Sequence, residues 1–422
     1  MSAAPDSLSV EFLLHCLSVA GPPSSVTHPP SSVRCKPLAV GRKPSAVWNA
    51  VLATAARHGL TPLLYVRLKQ SGAQPHVPAD AWERLRRAHV ASAVRGMCFY
   101  RDLRLVLQRL RGSGIKVIVL KGAFLAQAVY GDDALRPMAD VDLLVRDADL
   151  GRAQAVLLDM GGVHEQFGDI EQSRAMRLHL PQIHIRDLTL EIHWTIVIPA
   201  GPVRVDVAGL WDRSIAAGIA GVEAHALSPE DLLLHLCLHA SYNESLGAGL
   251  RPLCDVAETI RRYRGELDWP QLADRARDWG ATRYVGLTFH LVRTLLGAGV
   301  PDDVLDQLVP GGLDRRVLEA ARQSVLTQTD YGRWQAFFDK MRAASLRDRA
   351  RLSWKRIFLS REEMAAVYPS FRNSRFLCLY YVRRVGHVVR SYTTHTLRRA
   401  RLMATSPERE SSAALVRWLK QD

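Results

Sequence analysis

The chain has 422 residues, with 56 Lys+Arg against 42 Asp+Glu and a formal charge of +14. Apolar residues make up 48% and charged residues 23%, a globular balance that excludes a wholly disordered chain. No run of about 18 apolar residues occurs, so no spanning helix is expected. The first 26 residues lack a basic start and their apolar stretch is broken by His15 and Cys16, so a signal peptide is not expected either.

The charge is unevenly placed. Residues 331–422 hold 20 Lys+Arg and 7 Asp+Glu, whereas residues 1–330 hold 36 and 35. The basic character therefore belongs to the last fifth of the chain, and nucleic acid is not the expected partner of the rest. Cys16, Cys35, Cys98, Cys237, Cys254 and Cys378 form no C-x-x-C pair, so neither a disulfide framework nor a zinc knuckle is expected. Reduced thiols point to the cytoplasm.

Along the chain, residues 1–45 are rich in Pro and Ser, with one short helix expected between Leu8 and Ala20. Residues 46–72 and 79–112 read as helices, the second from Leu103, Val106, Leu107 and Leu110 at helical spacing. They make up a helical N-terminal region, 46–112. The pattern then changes. Ile115 to Leu120 reads as a strand, Lys121-Gly122 as a turn and Ala123 to Tyr130 as a helix. Asp140 to Val145 reads as a second strand, followed by a helix capped at Asp147 or Asp149 and ending at Gly161-Gly162. Two further strands are expected at Gln182 to Arg186 and Thr189 to Trp194. This α/β core spans 113–225. Helices resume at Ser228, a cap for Asp231, and fill a domain over 226–345. A basic C-terminal region, 346–422, completes the chain.

Asp140 and Asp142 carry the strongest chemical signal. Side chains at i and i+2 of a strand share a face, roughly 6–7 Å apart along it. Two carboxylates there are costly unless a cation lies between them, and Mg²⁺ (or Mn²⁺) with a phosphate substrate suits hard oxygen ligands. The strand–turn–helix at Lys121-Gly122 exposes backbone N–H groups of the kind that hold phosphate. Arg136 is read either as a phosphate ligand or as the ion-pair partner of Asp140. Glu191 and His193 share one face of the later strand, which brings a third carboxylate and an imidazole to the same neighbourhood.

Leu120-Lys121-Gly122, Tyr130, Arg136, Asp140-Val141-Asp142-Leu143-Leu144-Val145 and Glu191-Ile192-His193-Trp194 together resemble the uncharacterised nucleotidyltransferase family of bacteria. That family lies in the DNA polymerase beta-like nucleotidyltransferase superfamily. The resemblance continues through Leu232 to His239, Leu253-Cys254-Asp255-Val256 and Phe358-Leu359-Ser360-Arg361. It implies an α+β fold, with a small mixed-sheet nucleotidyltransferase core flanked by N- and C-terminal helical regions. It also implies metal-dependent transfer of a nucleoside monophosphate from an NTP such as ATP to a hydroxyl acceptor: a small molecule, glycan precursor, peptide or protein. Asp140 and Asp142 match the metal pair and Glu191 the third carboxylate. Lys121, Gly122, Arg136 and His193 fall where nucleotide binds. The superfamily's usual Gly-Ser turn is here Lys121-Gly122. Either Lys121 replaces the missing hydroxyl, or the protein binds nucleotide, or docks a partner, without turnover. The basic C-terminal region leaves a third reading, a terminal nucleotide adder acting on RNA.

His235 and His239 stand at i, i+4 without the Glu of a metalloprotease helix, and read as packed histidines. Asp255 reads either as a residue that supports the site or the acceptor or, preferably, as the i, i+4 helix salt-bridge partner of Arg251.

Overall fold

The computed structural model describes residues 7–18, 44–164, 178–198 and 201–328, with Tyr381, Val382, Val385, Gly386, Leu415, Trp418 and Leu419. The Pro-rich tract 21–37 and almost all of the basic C-terminal region lie outside the described residues.

Among the described residues, four helices precede the sheet: α1 Ser7–Leu17, α2 Pro44–Arg57, α3 Thr61–Gln70 and α4 Ala79–Gly112. The sequence reading of one helix over 46–72 is corrected to two. The break falls at Gly59, whose φ of +68° only glycine adopts without cost. In α4, Leu103, Val106, Leu107 and Leu110 are buried on one face. The helix ends in a Schellman arrangement: Gly114 has φ +71°, its N–H bonds Arg111 O, and Ile115 N–H bonds Leu110 O at 3.0 Å. That closure turns the chain directly into the sheet.

The sheet has seven strands in the order β3-β4-β5-β2-β1-β7-β6. They are β1 Val117–Val119, β2 Val141–Val145, β3 Val163–His164, β4 Ile183–Ile185, β5 Leu188–His193, β6 Ile215–Ile219 and β7 Val222–Ala226. β1 runs antiparallel to β2 and parallel to β7, and β2 runs parallel to β5. The two central strands, β1 and β2, are buried throughout; β1 is a Val/Ile run, and β2 is Val/Leu apart from the buried Asp142. The β2–β5 register sets Asp142 opposite Glu191 and Leu144 opposite His193.

Among the described residues, nine more helices follow β1: α5 Lys121–Leu125, α6 Leu150–Asp159, α7 Val207–Asp212, α8 Pro229–Leu238, α9 Leu250–Arg262, α10 Trp269–Asp278, α11 Thr282–Leu296, α12 Asp302–Leu308 and α13 Arg315–Thr327. α5 runs on as a π-type turn, Ala126–Tyr130, and α9 packs on that turn. Helices α8, α9 and α11 pack on one another, which joins the helical half to the strand–turn–helix. Ser228 caps α8 through the Asp231 N–H. Asp149 stands at the N-cap of α6 but makes no side-chain capping bond; it pairs with Arg152 at 2.7 Å instead. The architecture is thus a mixed α/β sheet flanked by helices, and no helix among the described residues is long and apolar enough to cross a membrane.

Candidate active site

The site starts where β1 ends. Leu120 N–H bonds Asp142 O at 2.9 Å, the last link between β1 and β2. Lys121 then takes a left-handed conformation, φ +44°. For a residue with a Cβ this costs about 1–2 kcal/mol. The turn folds the lysine back over the sheet and sets its Nζ 2.8 Å from Asp142 Oδ1. Gly122 is needed next: a Cβ there would collide with Arg136 Nη1 and press on Met138 at 3.0 Å. The Lys121-Gly122 turn and the segment 136–138 are therefore in close contact.

Asp142, Glu191 and His193 converge on one face of β2 and β5, with a ligand atom of each within 4.8 Å of the others. His193 is fully buried. Its Nε2 lies 2.9 Å from Asp142 Oδ1 and 3.3 Å from Glu191 Oε2. Ionised carboxylates only accept, so Nε2 carries the proton. Its Nδ1 has no partner among the described residues. Glu191 is steadied further by Gln182 Nε2 at 2.6 Å and faces His179 Nε2 at 3.7 Å. Asp140, one residue before β2, makes no hydrogen bond or ion pair to a described residue.

Electrostatics divide the carboxylates. Burial pushes the Asp142 pKa up, but Lys121 and His193 outweigh it and hold the group well below the usual carboxylate range. Burial likewise opposes ionisation of Glu191, and the His193 hydrogen bond draws its pKa down. Asp140 moves the other way: burial raises its pKa, repulsion from Asp142 and Glu191 adds to the rise, and Lys121 only partly offsets it. Burial disfavours the charged forms of Lys121 and His193, and the carboxylates more than restore them. Asp140 is thus the repelled carboxylate of the group, the one an added cation would relieve most.

Arg136 is held elsewhere. Its Nη2 lies 2.9 Å from Asp255 Oδ2 and its Nε 3.1 Å from Oδ1, while Tyr130 donates its hydroxyl to the same carboxylate at 2.9 Å. Two sequence readings change here. The partner of Arg136 is Asp255 of α9 rather than Asp140. The Arg251–Asp255 helix salt bridge does not form, because Asp255 turns to the loop before β2; Arg251 Nη1 donates to Pro137 O at 3.2 Å. His235 is buried with neither ring nitrogen partnered among the described residues, and burial, then Lys121, lowers its pKa to about 3. It lies neutral beneath the acidic group, and His239 follows with its ring centre 6.5 Å away. Both fit the reading of packed histidines.

The structure brings Lys121, Asp142, Glu191 and His193 into direct contact, with Asp140 at the edge and Gly122 behind the turn. Sequence reasoning missed the left-handed Lys121, the Gln182 bond to Glu191, and the detachment of Arg251 from Asp255. Gln182 was legible in principle, since a tight turn at Arg186-Asp187 folds β4 back along β5. The other two depend on backbone angles and on contacts between distant segments.

Residues 44–297 match the family described as uncharacterised nucleotidyltransferase. The match covers more than half of the chain, so the chain belongs to that family and is an enzyme of the nucleotidyl-transferring class. Among solved structures, a solution structure of the antibiotic-resistance factor ANT(2'')-Ia is similar at 15% identity and a TM-score of 0.31, over 46% of this chain and 97% of that one. A crystal structure of ANT(2'')-Ia in complex with adenylyl-2''-tobramycin is similar at 13% identity and a TM-score of 0.32, over 44% of this chain and 99% of that one. No curated protein gives a significant sequence match.

Proposed function

We propose that this enzyme transfers a nucleoside monophosphate from an Mg²⁺-bound NTP to a hydroxyl acceptor, using Asp140, Asp142 and Glu191. The observation that carries the reading is the meeting of Asp142 and Glu191 across the β2–β5 register, with Asp140 beside them and short of a partner.

The donor set fits a hard divalent cation, since carboxylate oxygens suit Mg²⁺ or Mn²⁺. His193 Nε2 is already committed to the two carboxylates, so it orients them. Bound metal would neutralise charge on the triphosphate and on the leaving pyrophosphate. Asp140 and Asp142 would be its ligands, with Glu191 as third ligand or base. The acceptor oxygen forms a bond to the α-phosphorus as the bond from that phosphorus to the α,β-bridging oxygen breaks. The electron pair leaves with pyrophosphate, and the acceptor proton passes to Glu191. Lys121 would swing from Asp142 to a phosphate oxygen when the cation arrives, so it takes over the contact a turn hydroxyl would make. Gly122 lets Arg136 and Met138 pack directly against the turn that presents Lys121.

The test is incubation of the purified protein with each α-labelled NTP, Mg²⁺ and cell extract. Label on an acceptor with release of pyrophosphate is the expected result. Tight nucleotide binding without transfer would make the site a sensor instead. An Asp140→Ala variant that transfers as well as wild type would remove the assignment.

A further inference from the structure

Arg251 stands apart from comparable guanidiniums. Arg67, Arg136, Arg213 and Arg275 are also partly buried, and each meets a buried carboxylate: Glu258, Asp255, Asp231 and Asp231 respectively. Arg251 has none among the described residues; its one hydrogen bond is to the Pro137 carbonyl, at 3.2 Å. Arginine cannot shed its proton to escape the cost of burial, and a guanidinium has five N–H donors. One is used, and none of the Arg251 nitrogens is both sealed from solvent and unpartnered. Nε and Nη2 therefore keep some contact with accessible space.

The position is informative. Pro137 lies between Arg136 and Met138, the two residues that lean on Gly122 at the phosphate-facing turn. Arg251 thus sits in contact with the loop that connects that turn to Asp140. Its field includes Asp140 and Asp255, but burial and the neighbouring Arg136 dominate and leave its cation disfavoured. An incoming polyanion would reverse that balance. A permanent ion-pair partner was available one helical turn away in Asp255, and the fold gives that carboxylate to Arg136 and Tyr130 instead.

We infer that Arg251 binds the β,γ end of the triphosphate, and so holds the pyrophosphate leaving group from the helical half of the molecule. This rests on the nucleotidyl-transfer reading above and extends it from the sheet to α9. Bidentate pairing with phosphate oxygens is what a guanidinium with free donors does best. The monophosphate part of the nucleotide would lie nearer the carboxylates and should feel Arg251 less.

Calorimetric titration separates the alternatives. The probes are inorganic pyrophosphate, the α,β-methylene analogues of the four NTPs and the four monophosphates, each with Mg²⁺. Arg251→Met keeps the side chain's length without its charge, and Arg251→Lys keeps the charge without the fork. Arg251→Met should weaken the triphosphate analogue and pyrophosphate by about tenfold or more and leave the monophosphate within about twofold. Arg251→Lys should recover part of the loss. Unchanged pyrophosphate and triphosphate affinity in Arg251→Met would overturn the inference. So would an equal loss for the monophosphate, which marks a merely structural anchor on Pro137. If wild type binds pyrophosphate but no nucleotide, the transfer reading fails while Arg251 is still judged by its own variant. If wild type binds neither, both fall.

Discussion

Lys121 and Asp142 form an ion pair at the head of the sheet, Nζ to Oδ1 at 2.8 Å, and His193 donates to the same oxygen at 2.9 Å. A lysine from a strained turn thus stands where a metal ligand would be filled. On the proposed mechanism, the cation and Lys121 would compete for one carboxylate.

This competition has a sign. Lys121→Met should tighten Mn²⁺ binding to the nucleotide-free protein several-fold, because it leaves more uncompensated negative charge. The same variant should weaken NTP binding, because a phosphate contact is lost. Calorimetry with Mn²⁺ alone and then with an NTP analogue reads both. Weaker Mn²⁺ binding in the variant would contradict the competition.

Asp140→Asn separates stability from activity. The Asp140 carboxyl has no hydrogen-bond or ion-pair partner among the described residues, and its pKa is raised by burial and by Asp142 and Glu191. Its charge therefore strains the fold, increasingly as pH rises past the ordinary carboxylate value. Removing that charge should leave the melting temperature equal or slightly higher at neutral pH, while transfer falls by about a hundredfold or more. A lowered melting temperature would show that Asp140 has a structural partner.

Much of this site was legible in the sequence, and the reason is strand periodicity. Asp140-Val141-Asp142 and Glu191-Ile192-His193 each place their polar groups on one face, and a parallel register suffices to join them. β1 and β2 could be read because both are dominated by Val, Ile and Leu, with Asp142 the one polar residue of β2. The β6–β7 hairpin was not read as strands. Its residues Ile215 to Ile219 are small and largely exposed, and its turn at Ala220-Gly221 carries two left-handed residues rather than a familiar Asn-Gly signal. The Arg136–Asp255 pair was invisible for a different reason: it joins segments 119 residues apart, and i, i+4 logic favoured the nearer Arg251.

Gly122→Ala should be costly although glycine is there in an ordinary φ region. The added methyl meets Arg136 Nη1 and Met138, so the Arg136–Asp255 pair must shift. A loss of about 1–3 kcal/mol is expected, read as a lower denaturation midpoint. Gly112→Ala, where a methyl meets nothing within 4 Å, is the control and should be neutral or slightly stabilising.

His58 predicts an acid transition. It is buried, and its Nδ1 accepts the Leu250 N–H at 3.2 Å at the start of α9. Burial first, and then Arg57, lowers its pKa from 6.5 to about 4. The unfolded chain therefore takes up the proton more readily. Stability is full above about pH 6.5 and declines as pH falls towards 4, by about 3 kcal/mol in all. Denaturation midpoints between pH 7 and 4 should show that decline in wild type and a shallower one in His58→Gln. Parallel curves would assign the acid transition to other groups.

The central claim is that Asp140, Asp142 and Glu191 hold a divalent cation that carries the NTP. Electron paramagnetic resonance of Mn²⁺ titrated with a non-hydrolysable NTP analogue tests it directly. Wild type should bind the metal only weakly alone and strongly with nucleotide, and Asp140→Asn and Glu191→Gln should each weaken the ternary complex by about tenfold or more. A ternary complex of unchanged affinity in both variants would place the metal and nucleotide elsewhere and contradict the account.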